Sequence, residues 1–173
     1  MTTKVALIAL CIMVSSVNSA TWAVLISGSD GFFGYRNQAD ICHAYQTLRK
    51  GGIPANNIIV FHSNDAASSP KNPIPGKLFN QANGDDVYAG CVVDYSGQDL
   101  SPQNFFNVIS QNAVAMKNIG TGRVLQSTSQ DRVLIYFAGL GGKGVICFPY
   151  QNLYVNDLHA ALGKMFTSKQ YGE

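Results

Sequence analysis

Charge is scarce in this chain. Of 173 residues, 13% are Asp, Glu, Lys or Arg, and 12 basic against 10 acidic side chains leave a formal net charge of +2. The basic residues are scattered, with no block or stripe that could follow a phosphate backbone, so nucleic acid is not an expected partner. No Asn-x-Ser/Thr triplet occurs, so no acceptor for N-glycosylation is present. The four cysteines form no Cys-x-x-Cys pair and no Cys/His spacing suited to zinc. No apolar run approaches the roughly 20 residues needed to cross a bilayer. What is abundant is hydrophobic side chain, 46% of the sequence, enough for one sizeable core and too much for a disordered chain.

The longest apolar run, Val5 to Val14, follows Lys4 and gives way to small and polar residues through Val17-Asn18-Ser19-Ala20. This order reads as a secretory signal peptide, residues 1–20, cleaved after Ser19 or Ala20, with one soluble domain over residues 21–173 and no membrane association after cleavage. Cys11 leaves with the signal. Cys42, Cys91 and Cys147 are expected to be buried free thiols, with at most one bridge among them.

Trp22-Ala23-Val24-Leu25-Ile26 is short and apolar on both faces, as in a central parallel strand, and Ser27-Gly28-Ser29 ends it. Gln38 to Lys50 carries Ile41, Tyr45 and Leu48 at helical spacing and closes on Arg49-Lys50 before two glycines. Ile58-Ile59-Val60-Phe61 is a second strand. Ser68 to Asn83, with Pro70, Pro73 and Pro75, reads as a surface loop. Ser101-Pro102 opens a helix expected to reach about Lys117. Val133 to Phe137 is a third strand, Val145 to Phe148 a short extra one, and Asp157 to Thr167 a last amphipathic helix. Alternating strands and helices predict an α/β fold, a three-layer αβα sandwich on a mostly parallel sheet, with its site beyond the carboxyl ends of the strands.

Those ends carry Ser27-Gly28-Ser29-Asp30-Gly31, Tyr35-Arg36-Asn37-Gln38-Ala39-Asp40, and the turn after Ile135-Tyr136-Phe137-Ala138; Asp94 to Asp99, Asn72-Pro73-Ile74-Pro75-Gly76, Asp86 to Gly90 and Ser101 to Phe105 complete the set. With these motifs the chain resembles the amino-terminal half of the legumains, asparaginyl endopeptidases of the caspase-like cysteine protease clan. The resemblance implies a six-stranded caspase-like sheet of which residues 21–173 supply about three core strands, a peptide or protein substrate or inhibitor as partner, and a lysosomal, vacuolar or extracellular destination. It also implies an uncovered apolar edge at the third strand, open to self-association. A related lipid-anchor transamidase has a similar glycine turn, echoed by Gly139 to Gly144, and is the lesser alternative.

The same resemblance locates what is missing. The family's histidine falls at Leu140, which can neither take nor give a proton. The histidine's neighbouring aspartate falls at Gly139, and the asparagine thought to orient the histidine falls at Gly34. Asp30 and Asn37 are further departures in the first loop. The nucleophilic cysteine belongs to a fourth strand that would begin after Glu173. Gly141, whose N–H the family uses for the oxyanion, is retained. So is Arg36, which lines the substrate-asparagine pocket in the family and could equally make a local salt link or face solvent. The chain is therefore expected to be inactive, or a non-catalytic binder of peptides or proteases. His43, His62 and His159 stand in no Cys/Asp/Glu constellation and are expected to be structural or solvated. Asp85-Asp86 and the pair Asp94 and Asp99 fit turns better than a calcium loop. No metal or cofactor is expected.

Overall fold

A computed structural model describes residues 19–173. The signal sequence proposed for residues 1–20 lies almost wholly outside the described residues. β1 (Thr21–Ser27) is the centre of a parallel sheet ordered β2-β1-β3, with β2 at Ile58–Phe61 and β3 at Arg132–Ala138. Alternation along the strands sends Ala23, Leu25, Ile58 and Val60 to one face, where Ile41 and Tyr45 of α1 (Tyr35–Lys50) cover them. Trp22, Val24, Ile26, Ile59 and Phe61 point to the other face. There they meet Phe105, Val108 and Ile109 of α2 (Pro102–Ile109) and Met165 of α3 (Val155–Thr167). The result is the expected α/β three-layer arrangement, with both faces of β1 buried.

α1 begins three residues earlier than its apolar stripe suggested, directly from a one-turn 3-10 helix at Phe32–Gly34. α2 starts as expected, with the Ser101 hydroxyl accepting the Asn104 amide at 3.2 Å and Pro102 in the first turn. It does not continue to Lys117. Gln111 adopts φ 62 and its side-chain amide donates to the Ser127 carbonyl at 2.7 Å, so the chain leaves the helix after Ile109 and passes through turns that still bury Met116 completely. The apolar pattern that suggested a longer helix was therefore the core contact of a turn.

Beyond β3 the chain forms a small antiparallel sheet, β4 (Gly141–Gly142), β5 (Val145–Cys147) and β6 (Asn152–Tyr154). Only β5 was anticipated, because a two-residue glycine strand carries no side-chain pattern. The proline-rich 68–83 segment is irregular, yet it is anchored: Leu78 is fully buried, and the Asn72 amide donates to the carbonyls of Ala66, Ala67 and Lys77. A disulfide joins Cys42 of α1 to Cys91, the one bridge that the expectation allowed; Cys147 alone is free among the described cysteines. The bridge could not be read from the sequence because the partners are 49 residues apart and meet only after the loop folds back over α1.

On its outer side β3 is edged only at its start, where the Val133 amide donates to the Glu173 carbonyl at 2.9 Å and the Gly172 amide to the Asp131 carbonyl at 2.8 Å. By alternation, Ile135 and Phe137 aim their backbone groups outward with no strand partner among the described residues. Leu134 and Tyr136 stand exposed on the α1 face, where the helix does not reach.

Candidate functional site

The loops after β1 and β3 meet at the carboxyl end of the sheet, tied by the Gly28 amide donating to the Ala138 carbonyl at 2.8 Å. Leu140 follows at the tip. Its side chain is 59% exposed and its carbonyl accepts the Cys147 amide at 2.9 Å, so the backbone is held by the small sheet while the hydrocarbon faces solvent. Gly141 stands one residue on, opposite Ile146 at the start of β4.

Two glycines beside it have no space for anything larger. A Cβ on Gly139 would lie 2.7 Å from Phe137 Cε1 and 2.9 Å from the Gly28 Cα. A Cβ on Gly34, which is buried, would lie 2.8 Å from the Ser29 hydroxyl and 2.9 Å from the Ser29 carbonyl carbon. Contacts this close are not found for real side chains, so neither position takes a larger residue unless Phe137 and the Gly28 backbone, or Ser29, shift. Ser29 is itself fixed: Asn37 Nδ2 donates to its hydroxyl at 2.7 Å and the Ser63 hydroxyl to its carbonyl at 2.9 Å. Asn37, itself buried, therefore holds this loop in place.

Asp65 and Gln38 complete the support. Asp65 accepts the Gly31 amide at 2.8 Å and the Gln38 side-chain amide at 2.7 Å, while Gln38 Oε1 accepts the Ala66 amide at 3.2 Å. Gln38 belongs to the Tyr35 to Asp40 motif, but its pairing with Asp65 did not stand out in the sequence, because a Gln and an Asp 27 positions apart form no motif. Arg36 projects from the first turn of α1, exposed, and joins neither of the two ion pairs found among the described residues, Arg123–Asp94 and Arg132–Glu173. Its guanidinium is open to a ligand.

The histidines are not gathered at the site. His43 and His159 are exposed on α1 and α3. His62 is fully buried at the end of β2, where Nδ1 accepts the Asn64 amide at 2.9 Å and Nε2 lies 3.1 Å from the Gln38 carbonyl and 3.7 Å from Cys42 Sγ. Burial drives its pKa down to about 4, against the smaller upward pull of the Gln38 carbonyl and Asp65. A neutral imidazole with both nitrogens engaged by backbone cannot serve as a general base for an outside substrate. Asp94 is likewise structural: it accepts the Val60 amide and the Thr121 hydroxyl and pairs with Arg123 at 2.9 Å. Arg123 then reaches the carbonyls of Ala55, Asn56 and Ile58. Beside Asp94, burial first and its charge second push Tyr95 up to about 12.

A parallel sheet flanked by helices, with a glycine turn after its third sequential strand and a first loop that buttresses that turn, is the arrangement of a truncated caspase-like αβα domain. The chain belongs to the Peptidase C13 family, whose model matches residues 21–173. It is 46% identical to the legumain of Homo sapiens over 150 residues, which are 87% of this chain and 35% of that protein. It is 45% identical to a vacuolar-processing enzyme of Citrus sinensis over 151 residues, 87% of this chain and 30% of that one. The chain thus spans about a third of the length of the curated relatives it matches.

Proposed function

We propose that this protein is a legumain-type endopeptidase relative that does not hydrolyse peptide bonds. The observation that carries the reading is the exposed Leu140 at the tip of the β3 turn, where the family's proton shuttle stands. The cysteines within residues 21–173 offer no substitute: Cys42 and Cys91 are bonded to each other, and Cys147 lies in β5. Loss of a base from such a catalytic unit costs about three to six powers of ten in rate. The purified protein should give no turnover of a fluorogenic Ala-Ala-Asn reporter. Leu140→His should also give none, because Phe137 and Ser29 occupy the places of the groups that would orient a histidine. Turnover by the unmodified chain at a rate typical of a peptidase would refute the reading.

A second reading, binding without turnover, is supported by apolar exposure around the same loops: Phe33 is 99% exposed, Leu140 59% and Tyr150 51%. Arg36 supplies a planar donor beside them for a carbonyl or carboxylate of a peptide. A saturable complex with a legumain-type peptide inhibitor, unaccompanied by cleavage, distinguishes this reading from a chain with no remaining ligand.

The proposal extends to organisation and location. Residues 1–20 act as a secretory signal and residues 21–173 as part of a peptidase domain, delivered to a lysosomal, vacuolar or extracellular setting. Among the described residues no helix is long and apolar enough to cross a membrane. Outward-facing backbone at Ile135 and Phe137, with Leu134 and Tyr136 exposed beside it, supports self-association of the 173-residue chain. Light scattering should show species larger than a monomer, increasing with concentration; a monodisperse monomer at high concentration would count against it.

A further inference from the structure

Asp131 is a buried carboxylate without a cation. It is 8% exposed, and neither ion pair among the described residues includes it. One oxygen, Oδ2, accepts the Thr128 amide at 2.8 Å and the Thr128 hydroxyl at 3.0 Å. The other, Oδ1, accepts the backbone nitrogen of Ala20 at 2.7 Å. Buried carboxylates are normally matched by positive charge, and an internal amide offers one N–H and no charge.

Ala20 is set firmly in place. Its carbonyl accepts the Arg132 amide at 2.9 Å, extending the β1–β3 ladder by one residue, and its methyl packs on the main core. In the sequence it follows Val17-Asn18-Ser19, which puts small or compact residues one and three positions before it, the pattern that signal peptidases cut after. Two independent features, the leader pattern and the buried acceptor, converge on the same nitrogen.

We propose that Asp131 is the receptor for a processed amino terminus: hydrolysis of the Ser19–Ala20 bond creates an α-ammonium on Ala20 that forms a buried ion pair with the Asp131 carboxylate. The membrane-bound signal peptidase of the secretory route supplies the cut. Water adds its hydroxyl to the Ser19 carbonyl carbon, the C–N bond breaks, and Ser19 leaves with the leader as a carboxylate. The Ala20 nitrogen takes two protons, one from the water and one from the new Ser19 carboxylic acid, and so becomes the ammonium. Its bond to Oδ1, charged on both partners, replaces one in which only the acceptor was charged. The alternative cut, after Ala20, would discard both the nitrogen that meets Asp131 and the carbonyl that meets Arg132. The inference rests on the secretory reading but not on whether the protein hydrolyses peptides, so the two fail separately.

The test uses the chain secreted from cultured eukaryotic cells. Mass spectrometry of the mature protein should find Ala20 as its first residue. Urea unfolding then compares this protein with one beginning at Ser19, and with the Ala20 form acetylated at its α-amine, each with Asp131 and with Asp131→Asn. With Asp131 present, the free Ala20 terminus should raise the folded-to-unfolded ratio about tenfold over both other forms, as expected for a hydrogen bond that gains charge. With Asp131→Asn the three forms should converge. A mature terminus at any other residue, an uncleaved leader, or the same ratio for free and acetylated Ala20 in the Asp131 protein would overturn the proposal; the last comparison stands even if the Asn variant does not fold.

Discussion

Replacing Cys91 by serine should lower the stability of the folded chain by about 4 kcal/mol, the chain-entropy value for closing a loop of this size. The bridge spans 49 residues and closes the whole segment from the middle of α1 to the end of the long loop. That segment has few regular hydrogen bonds of its own; it is held by isolated side chains, the Asn72 amide, Gln46 donating to the Ala89 carbonyl at 2.8 Å, and Asp65 on Gln38. Cys91 is the better partner to change because it is only half-buried, whereas Cys42 is fully buried. Urea unfolding with and without a thiol reductant should show the unmodified protein falling to the midpoint of Cys91→Ser when reduced. Coincident midpoints for the oxidised protein and the variant would mean that the side-chain anchors alone hold the loop, and that the bridge contributes little.

The sheet was legible because each of its strands is a short apolar run ended by a breaker, and burial on both faces leaves that signature in Trp22 to Ile26 and Ile58 to Phe61. The helices were legible through their stripes, and α2 shows the limit of that signal: Met116 is as buried as Val108, but through a turn rather than a continued helix. A stripe records which residues meet the core, not the path the backbone takes between them. Of the small sheet after β3 only β5 was legible, and β4 escaped notice for the converse reason, since Gly141 and Gly142 pair through backbone alone.

At the site, the resemblance of the loops pointed to Leu140, Gly34 and Gly139, and the structure places the two glycines in tight surroundings. The Phe137 ring lies against Gly139 and the Gly28 backbone, and Ser29, held by Asn37, lies against Gly34, so a larger residue at either position meets these neighbours first. What no motif could disclose was the support beneath: His62 and Asp65, in the loop after β2, reach Gln38 in α1 and act only through their geometry.

His62 gives the second large effect. Its folded pKa lies near 4, below the ordinary 6.5, because burial disfavours the imidazolium. The unfolded chain therefore takes up the proton first as pH falls, and folding must expel it. Stability is whole above about pH 6.5 and declines as pH drops toward about 4; the difference between the two pKa values corresponds to about 3 kcal/mol over that interval. Asp131, whose hydrogen bonds from Ala20 and Thr128 outweigh its burial and hold it below the ordinary value of 3.8, acts in the same direction but only at lower pH. The two losses should therefore separate on a stability profile. The added proton would have to go to Nδ1, which is occupied by the Asn64 N–H because Nε2 already faces the Gln38 carbonyl, and the ring has no exposed side from which water could solvate the charge. Urea unfolding measured at intervals from pH 7.5 to pH 4 should give a falling free energy for the unmodified chain and a nearly flat one for His62→Gln, whose amide can still accept from Asn64 but does not titrate. A flat profile for the unmodified chain would require that the folded protein accept the proton as readily as the unfolded one, and so that the His62 chamber opens to solvent at mildly acidic pH.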